Sequence, residues 1–395
     1  MADDRAAVLA AAAAGLRARW GNRLELGAAA ELGGSGRSLV LRVPVAGVDA
    51  PAPTVIVKAY HDEASQSSTI GPGQAWENEA TAAAVVGDLP GRPLGPVPLA
   101  VDGEHRLIVL TDLGVHPALS DVLLGHDPVV AEQGLMDWAA ALGRFGALTR
   151  NPRPRAARLQ RGLGLGSSLN AMDGYLRGGV DTLSAVAQRR FGIAPPPGLE
   201  RDLAAVKRLL EPSTYDVFTP GDACPDNNLL TPDGVRFLDF EFSGCYSLFL
   251  DAAYTVAPFP TCWCVLDTPP TVTARVVDAY REQIMTSFPE VANARVWEDG
   301  VARACGLWTA TQVRALLRTP PGDLTAGAYD GQSTHFPGYA VRCRFRLDRF
   351  LMMAGTSIPS FTALMREIRD RLIAESGDEQ LRMPVYPAFR TDSSI

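Results

Sequence analysis

Lysine is nearly missing from this 395-residue chain: of 37 Lys and Arg residues, only Lys58 and Lys207 are lysine. A chain that writes arginine almost everywhere draws attention to the two places where it keeps an ammonium group. Net positive charge is missing too. Forty-four Asp and Glu leave a net charge of −7, which excludes a sequence-blind nucleic-acid binder, whose surface must neutralise phosphates. No run of 18 apolar residues occurs, so no transmembrane span is expected. The apolar run at 6–16 follows Asp3 and Asp4 rather than a basic stretch. It reads as an alanine-rich surface helix, not a secretory leader, and the expected compartment is cytoplasmic. The cysteines (Cys224, Cys245, Cys262, Cys264, Cys305 and Cys343) include no CxxC and no nearby histidine cluster. A zinc site or disulfide framework is therefore not expected; buried thiols are. The five histidines show no ligand spacing. Neither GxxxxGK[ST] nor GxSxG is present, which excludes a Walker-type NTPase and a hydrolase with a nucleophile elbow.

What is present is an ordinary globular balance, 47% apolar and 21% charged, with length enough for two or three core-forming units. The first part is β-rich. Leu39, Leu41, Val43 and Val45 alternate with Val40 and Arg42, which predicts a strand. Thr54-Val55-Ile56-Val57-Lys58-Ala59-Tyr60 reads as a second strand, and residues 106–111 as a third. Between them, residues 74–86 carry a helical stripe of Trp76, Ala80, Ala83 and Ala84. After Asp112-Leu113-Gly114 the periodicity turns helical, over 117–150, 198–211 and about 270–380, with a short β segment at 215–240. The stretches 151–155 and 162–166, rich in Arg/Pro and Gly, read as separators. The fold class expected is α+β and bilobal: a small β-rich lobe, residues 1–112, and a larger, mainly helical lobe, residues 113–395.

The stretch 215–251, YDVFTPGDACPDNNLLTPDGVRFLDFEFSGCYSLFLD, carries the chemistry. Thr231-Pro232-Asp233-Gly234 is a tight-turn signal between apolar pairs, which predicts a β-hairpin. If Leu230 pairs with Val235, Asp239 falls opposite Asp226, within a residue or two of Asn227. Asp222 lies in the loop before it. A carboxylate, an amide and a second carboxylate then gather at the hairpin's open end, a hard-oxygen set suited to Mg²⁺.

GDACPDNN followed by FLDFE resembles the catalytic loop and metal-binding segment of the aminoglycoside phosphotransferase and choline kinase-like family, whose pattern is HGDxxxxN and then hydrophobic-Asp-aromatic-Glu. The resemblance implies a protein-kinase-like fold, with Asp222 as catalytic base, Asn227 and Asp239 as Mg²⁺ ligands, and Asp251 in a structural role. It further implies Lys58 as the lysine that holds the donor's phosphates, with a helical glutamate as its partner. Glu79 lies on the packed stripe and Glu77 off it, so Glu79 is the expected partner. Gly34, Ser35 and Gly36 stand where a phosphate-covering loop belongs, and Leu110 to Leu113, Asp112 included, where a hinge meets the purine edge. The one departure is Pro220, which replaces the family's histidine and removes a backbone N–H.

The function that follows is transfer of the γ-phosphate of ATP or GTP to a hydroxyl of a small molecule, inactivating an antibiotic. A metabolic kinase of sugar, choline or homoserine type, or a non-catalytic nucleotide-binding module, are the alternatives. The expected partners are a nucleoside triphosphate and a hydroxylated acceptor, with no nucleic acid and no membrane, in a monomer or homodimer. Trp263, Trp297 and Trp308 read either as walls of an acceptor cleft or as core. Residues 241–395 hold 17 acidic residues and 15 arginines. The acceptor is therefore expected to be neutral or weakly charged rather than polycationic.

Overall fold

The period-two pattern around residue 40 builds one strand of an antiparallel sheet in a computed structural model that describes residues 2–33, 38–47, 49–61, 70–166, 168–330, 335–354 and 356–390. Helix α1 (Ala2–Trp20) comes first, then β1 (Glu25–Leu26), β2 (Ala30–Gly33), β3 (Ser38–Ala46) and β4 (Thr54–Tyr60). Helix α2 (Pro72–Asp88) leads to β5 (Pro98–Asp102) and β6 (Leu107–Thr111). The sheet order is β1-β3-β4-β6-β5, with β2 also paired to β3.

Alternation decides which side each residue serves. Val55, Val57 and Ala59 of β4 join Leu41, Val43, Leu107 and Val109 beneath Val8, Ala12 and Leu16 of α1. The apolar run at 6–16 is thus a helix laid on the sheet. Ile56 and Tyr60 point the other way, toward Trp76, Ala80 and Ala83 of α2. Lys58 lies between them in sequence on that second face. Strand pairing on both sides of β4, to β3 and to β6, holds it in the middle of the sheet.

Beyond Thr111 the chain is mainly helical, so the expected α+β, two-lobed arrangement is what forms. Helices α3 (Leu119–Leu123), α4 (Pro128–Leu148), α5 (Pro152–Gly162), α6 (Asp173–Phe191) and α7 (Leu199–Lys207) precede β7 (Asp216–Thr219). The hairpin β8 (Asn228–Thr231) and β9 (Gly234–Phe237) follows, then β10 (Gly244–Ser247), which pairs with β7. Helices α8 (Leu248–Val256), α9 (Pro270–Met285) and α10 (Ala294–Ala315) come next. The short pair β11 (Tyr329–Asp330) and β12 (His335–Phe336), α11 (Tyr339–Met353) and α12 (Pro359–Ser376) complete the lobe. One apolar core spans it, with Trp138, Phe145, Tyr280, Trp297 and Trp308 all buried. No described helix is long and apolar enough to cross a membrane.

Three helices were not expected, α5, α6 and α8. The supposed separator at 151–155 is the first turn of α5: Pro152 occupies the start of the helix, where its missing N–H costs no hydrogen bond. Helix α6 lies just past the glycine-rich run, and its stripe of Leu176, Val180, Leu183 and Val186 is buried.

The cysteine expectation also needs correcting. Cys224 and Cys262 form a disulfide, with their Cα atoms 5.6 Å apart and 38 positions between them in sequence. The other four cysteines are buried thiols, as expected. Sequence spacing holds no trace of the pair, because it is the return of the chain after α8 that brings residue 262 against residue 224.

Candidate active site

The hairpin register matches the expectation: Leu230 pairs with Val235 and Asn228 with Phe237. Beyond the ladder, the Leu238 N–H donates to the Asn227 carbonyl at 2.8 Å. Asp239 then leaves the strand in the left-handed region, φ 57°, which aspartate tolerates better than most side chains. Its carboxylate meets Lys58, Nζ to Oδ1 2.6 Å. On the other side Lys58 lies 3.3 Å from Glu79 Oε2, and the Tyr60 hydroxyl donates to the same oxygen at 3.4 Å. The sheet, α2 and the segment after β9 therefore converge on one ammonium group. Glu77 is not part of this cluster; its carboxylate accepts from the Gly166 N–H at 3.1 Å.

Electrostatics follows from burial. Taking Lys58 out of water pulls its pKa down, but Asp239 and Glu79 outweigh that and hold the ammonium above its ordinary range. Burial pushes Glu79 up, with Lys58 opposing, and pushes the Tyr60 phenol up as well. A buried lysine stays charged here because two carboxylates face it.

Lys58, Glu79, Asn227 and Asp239 line the polar end of a cavity of about 400 Å³. Apolar walls come from Val40 and Ile56 of the sheet, Leu110 at the end of β6, and Leu229 and Leu238 from the hairpin side, with Ser38, Arg42 and Thr111 among them. Leu110, Asp112 and Leu113 all border it. The Asp112 carboxylate is not free for a ligand, however. It takes two bonds from Arg42, at 2.7 and 3.0 Å, one from Thr54 and one from the Gly114 N–H. Burial raises its pKa, yet these bonds prevail and hold it below the usual carboxylate range. Asp112 thus ties Arg42 of β3 and Thr54 of β4 to the turn at Gly114. Gly34, Ser35 and Gly36 lie outside the described residues.

Asp222 is tied to this cavity's wall through Asn227. The Asn227 side-chain N–H₂ donates to the Asp222 carbonyl at 3.1 Å, while among the described residues nothing donates to its amide oxygen. The Asp222 carboxylate receives the Thr261 hydroxyl. Pro220 leaves the loop well supported by other bonds. The Tyr254 hydroxyl donates to the Gly221 carbonyl at 3.0 Å, and the Gly221 N–H reaches Thr219 Oγ1 at 3.2 Å. Gly221 has φ 84°, and a Cβ there would meet the Phe242 carbonyl at 2.0 Å, so no other residue fits.

Asp251, expected to be structural, is buried and accepts from Thr219. Burial pushes its carboxyl up from 3.8 to about 7, the Thr219 bond opposing. The folded state thus holds this proton more tightly than the unfolded chain does. Its contribution to stability is full below the unfolded value, declines as pH rises toward 7 and is lost above it. Asp251→Asn is expected to remove this decline, about 1.4 kcal/mol per pH unit, from the unfolding free energy measured between about pH 5 and about pH 7. Wild type and variant falling in parallel over that range would assign the slope to other groups.

Thr261 and its surroundings were missed by the sequence reading. Trp263, half-exposed, donates its Nε1–H to Asp226 at 2.9 Å, whereas Trp297 and Trp308 are core. Of the three tryptophans considered for the acceptor cleft, only Trp263 borders the second cavity, of about 680 Å³. Thr261 borders the same cavity, so Asp222 is linked to one hollow through Asn227 and to the other through Thr261.

No family model matches the chain, and no curated protein sequence does. Solved structures similar to it include a choline/ethanolamine kinase family protein from Mesorhizobium loti, 16% identical with a TM-score of 0.46, over 91% of this chain and 99% of that one. Choline kinase from Cryptosporidium parvum is 12% identical with a TM-score of 0.44, over 91% and 94%. Aminoglycoside-3'-phosphotransferase of type VIII is 20% identical with a TM-score of 0.39, over 77% of this chain and 99% of that one.

Proposed function

We propose that this chain is a nucleotide-dependent phosphotransferase that moves the γ-phosphate of ATP or GTP onto a hydroxyl of a small molecule. The observation that carries this reading is the buried ammonium of Lys58 between Glu79 and Asp239, at the polar end of an apolar slot. Such a slot suits a planar base and ribose, and its polar end suits a polyphosphate. On this reading residues 1–112 hold the donor and residues 113–395 carry the catalytic loop and the acceptor.

The residues also fit a magnesium ion. Asn227 offers an amide oxygen and Asp239 a second carboxylate oxygen beside the one on Lys58, both hard donors on one cavity wall. Bound there, Mg²⁺ would neutralise charge on the donor phosphates. The chain's own residues do the rest. Lys58, held by Glu79, fixes the donor phosphates. Asp222 accepts a hydrogen bond from the acceptor hydroxyl in place of Thr261 and takes its proton as the new P–O bond forms and the bond from the γ-phosphorus to the β,γ-bridging oxygen breaks, releasing the nucleoside diphosphate. The hinge at 112–114, fastened by Arg42, meets the base with its backbone.

Following the sequence resemblance, the acceptor we propose is a hydroxylated antibiotic. The test is nucleotide consumption by the full chain against a panel of hydroxylated natural products, with ATP and with GTP, with Mg²⁺ and with EDTA. Acceptor-dependent consumption, a phosphorylated product by mass spectrometry, and loss of both in EDTA are expected. Tight nucleotide binding that no acceptor turns into transfer would make the chain a binding module instead.

A further inference from the structure

The cavity beside Thr261 has a composition that the average charge of the C-terminal half conceals. Its polar walls include Arg314 and Arg318, near the end of α10, and Arg342, in the first turn of α11, with no Asp or Glu among the lining residues. Its apolar walls are aromatic: Tyr175, Trp263, Tyr329 and Tyr339. Residues 241–395 sum to nearly neutral, yet this hollow is cationic.

The arginines here also differ from their neighbours in what they touch. Arg344 pairs with Asp348 and Asp378. Arg346 is buried and donates to the carbonyls of Ala257, Pro258 and Phe259, and Arg349 pairs with Asp267. Arg314 and Arg318, by contrast, make no hydrogen bond or ion pair among the described residues. The room for Arg314 comes from Gly178 of α6, where a Cβ would lie 2.8 Å from its Nη1. Arg342 donates to the Gly327 carbonyl at 2.8 Å, and its Nε is buried without a partner. One arginine near a helix C-terminus answers the helix dipole. Three guanidinium groups line one cavity, and the two that are exposed and unpaired, Arg314 and Arg318, offer their forks to an anion.

We infer that the acceptor is an anionic hydroxylated ring compound, one bearing a carboxylate or a phosphate monoester. The inference rests on the phosphotransferase reading and gives that site its substrate class. The ring lies against the aromatic walls and its hydroxyl reaches Asp222 where Thr261 now sits. Its anion meets the guanidinium forks, which match carboxylate and phosphate geometry. An ammonium-bearing acceptor would find three like charges and no carboxylate on these walls.

The experiment is calorimetric titration of the full chain, saturated with Mg²⁺ and a non-hydrolysable nucleotide, with a matched series. Nitrophenyl glucoside is the neutral probe, nitrophenyl glucuronide the carboxylate, the glucoside phosphate the phosphate monoester, and nitrophenyl glucosaminide the cation. At least one anionic member is expected to bind about tenfold or more tighter than the glucoside, less so at high salt. Whichever anion leads identifies the group recognised. Arg314→Ala/Arg318→Ala should abolish that preference while nucleotide affinity stays unchanged. No preference for the anions, whether all probes bind alike or none binds, overturns the inference, as does a preference that survives in the double variant. Acceptor-dependent transfer to a neutral compound would overturn it while leaving the phosphotransferase reading intact. Failure of the wild type to bind nucleotide would bring down the underlying reading instead.

Discussion

Asp222→Ala is expected to lower acceptor-dependent turnover by about 10²–10⁴-fold, with thermal stability and nucleotide affinity nearly unchanged. The carboxylate is partly exposed on a loop, so the core does not depend on it. What holds the loop is elsewhere: the Tyr254 hydroxyl on the Gly221 carbonyl, the Thr219–Asp251 pair and the Cys224–Cys262 bond. The Asn227 side chain binds the Asp222 carbonyl rather than its carboxylate, so the wall that faces the donor survives the substitution. Steady-state kinetics with the best acceptor, beside a nucleotide titration, separates the two effects. Turnover within about tenfold of wild type, a change of only ~1.4 kcal/mol in the barrier, would remove Asp222 from the role of base.

Lys58→Arg keeps the charge and is expected to cost about 10²-fold or more in turnover, with weaker donor binding. The ammonium lies in a closed space, 2.6 Å from Asp239, 3.3 Å from Glu79 and 5.3 Å from the centre of the Tyr60 ring. A planar guanidinium is longer and cannot place one nitrogen between both carboxylates and a phosphate. Lys207→Arg supplies the control. That lysine pairs with Asp181 at 2.9 Å on the surface of the helical lobe, where arginine serves equally well. The same substitution in the chain's two lysines should therefore give one crippled and one ordinary protein. Equal activity in both would sever Lys58 from the chemistry.

Much of this site was readable from local pattern. A period-two strand puts Ile56, Lys58 and Tyr60 on one face, a helical stripe selects Glu79 over Glu77, and a four-residue turn fixes the register that brings Asp239 beside Asn227. Each of these is decided within about ten residues by the geometry of one element or one hairpin. What escaped was decided by the return of distant segments. Thr261 reaches Asp222 from 39 positions away, and Cys262 reaches Cys224 from 38. Arg342, Arg344, Arg346 and Arg349 stand close together in sequence, but whether each guanidinium serves the core or a cavity depends on which carbonyls and carboxylates the fold sets opposite it. Helix α5 was hidden by prolines that read as a break and in fact mark a start. Asp112 was read as part of a hinge meeting the base; its sequence position gave no sign that Arg42, Thr54 and the Gly114 N–H would take up its carboxylate.

The bond between Cys224 and Cys262 bears on how such a protein can diversify. It closes a covalent ring that includes the hairpin, β10 and α8, with the candidate base just outside one end and a wall of the arginine-lined cavity at the other. Chain length in this ring is consequently constrained. An insertion or deletion near 257–262 that reshaped the cavity would also pull on residue 224, and through it on Asp222 two positions away. Point substitutions on α10, α11 and the β11–β12 pair carry no such penalty, because those elements lie outside the ring. New acceptor preferences should therefore arise by exchange of side chains there, while the ring keeps its length across descendants that otherwise drift apart.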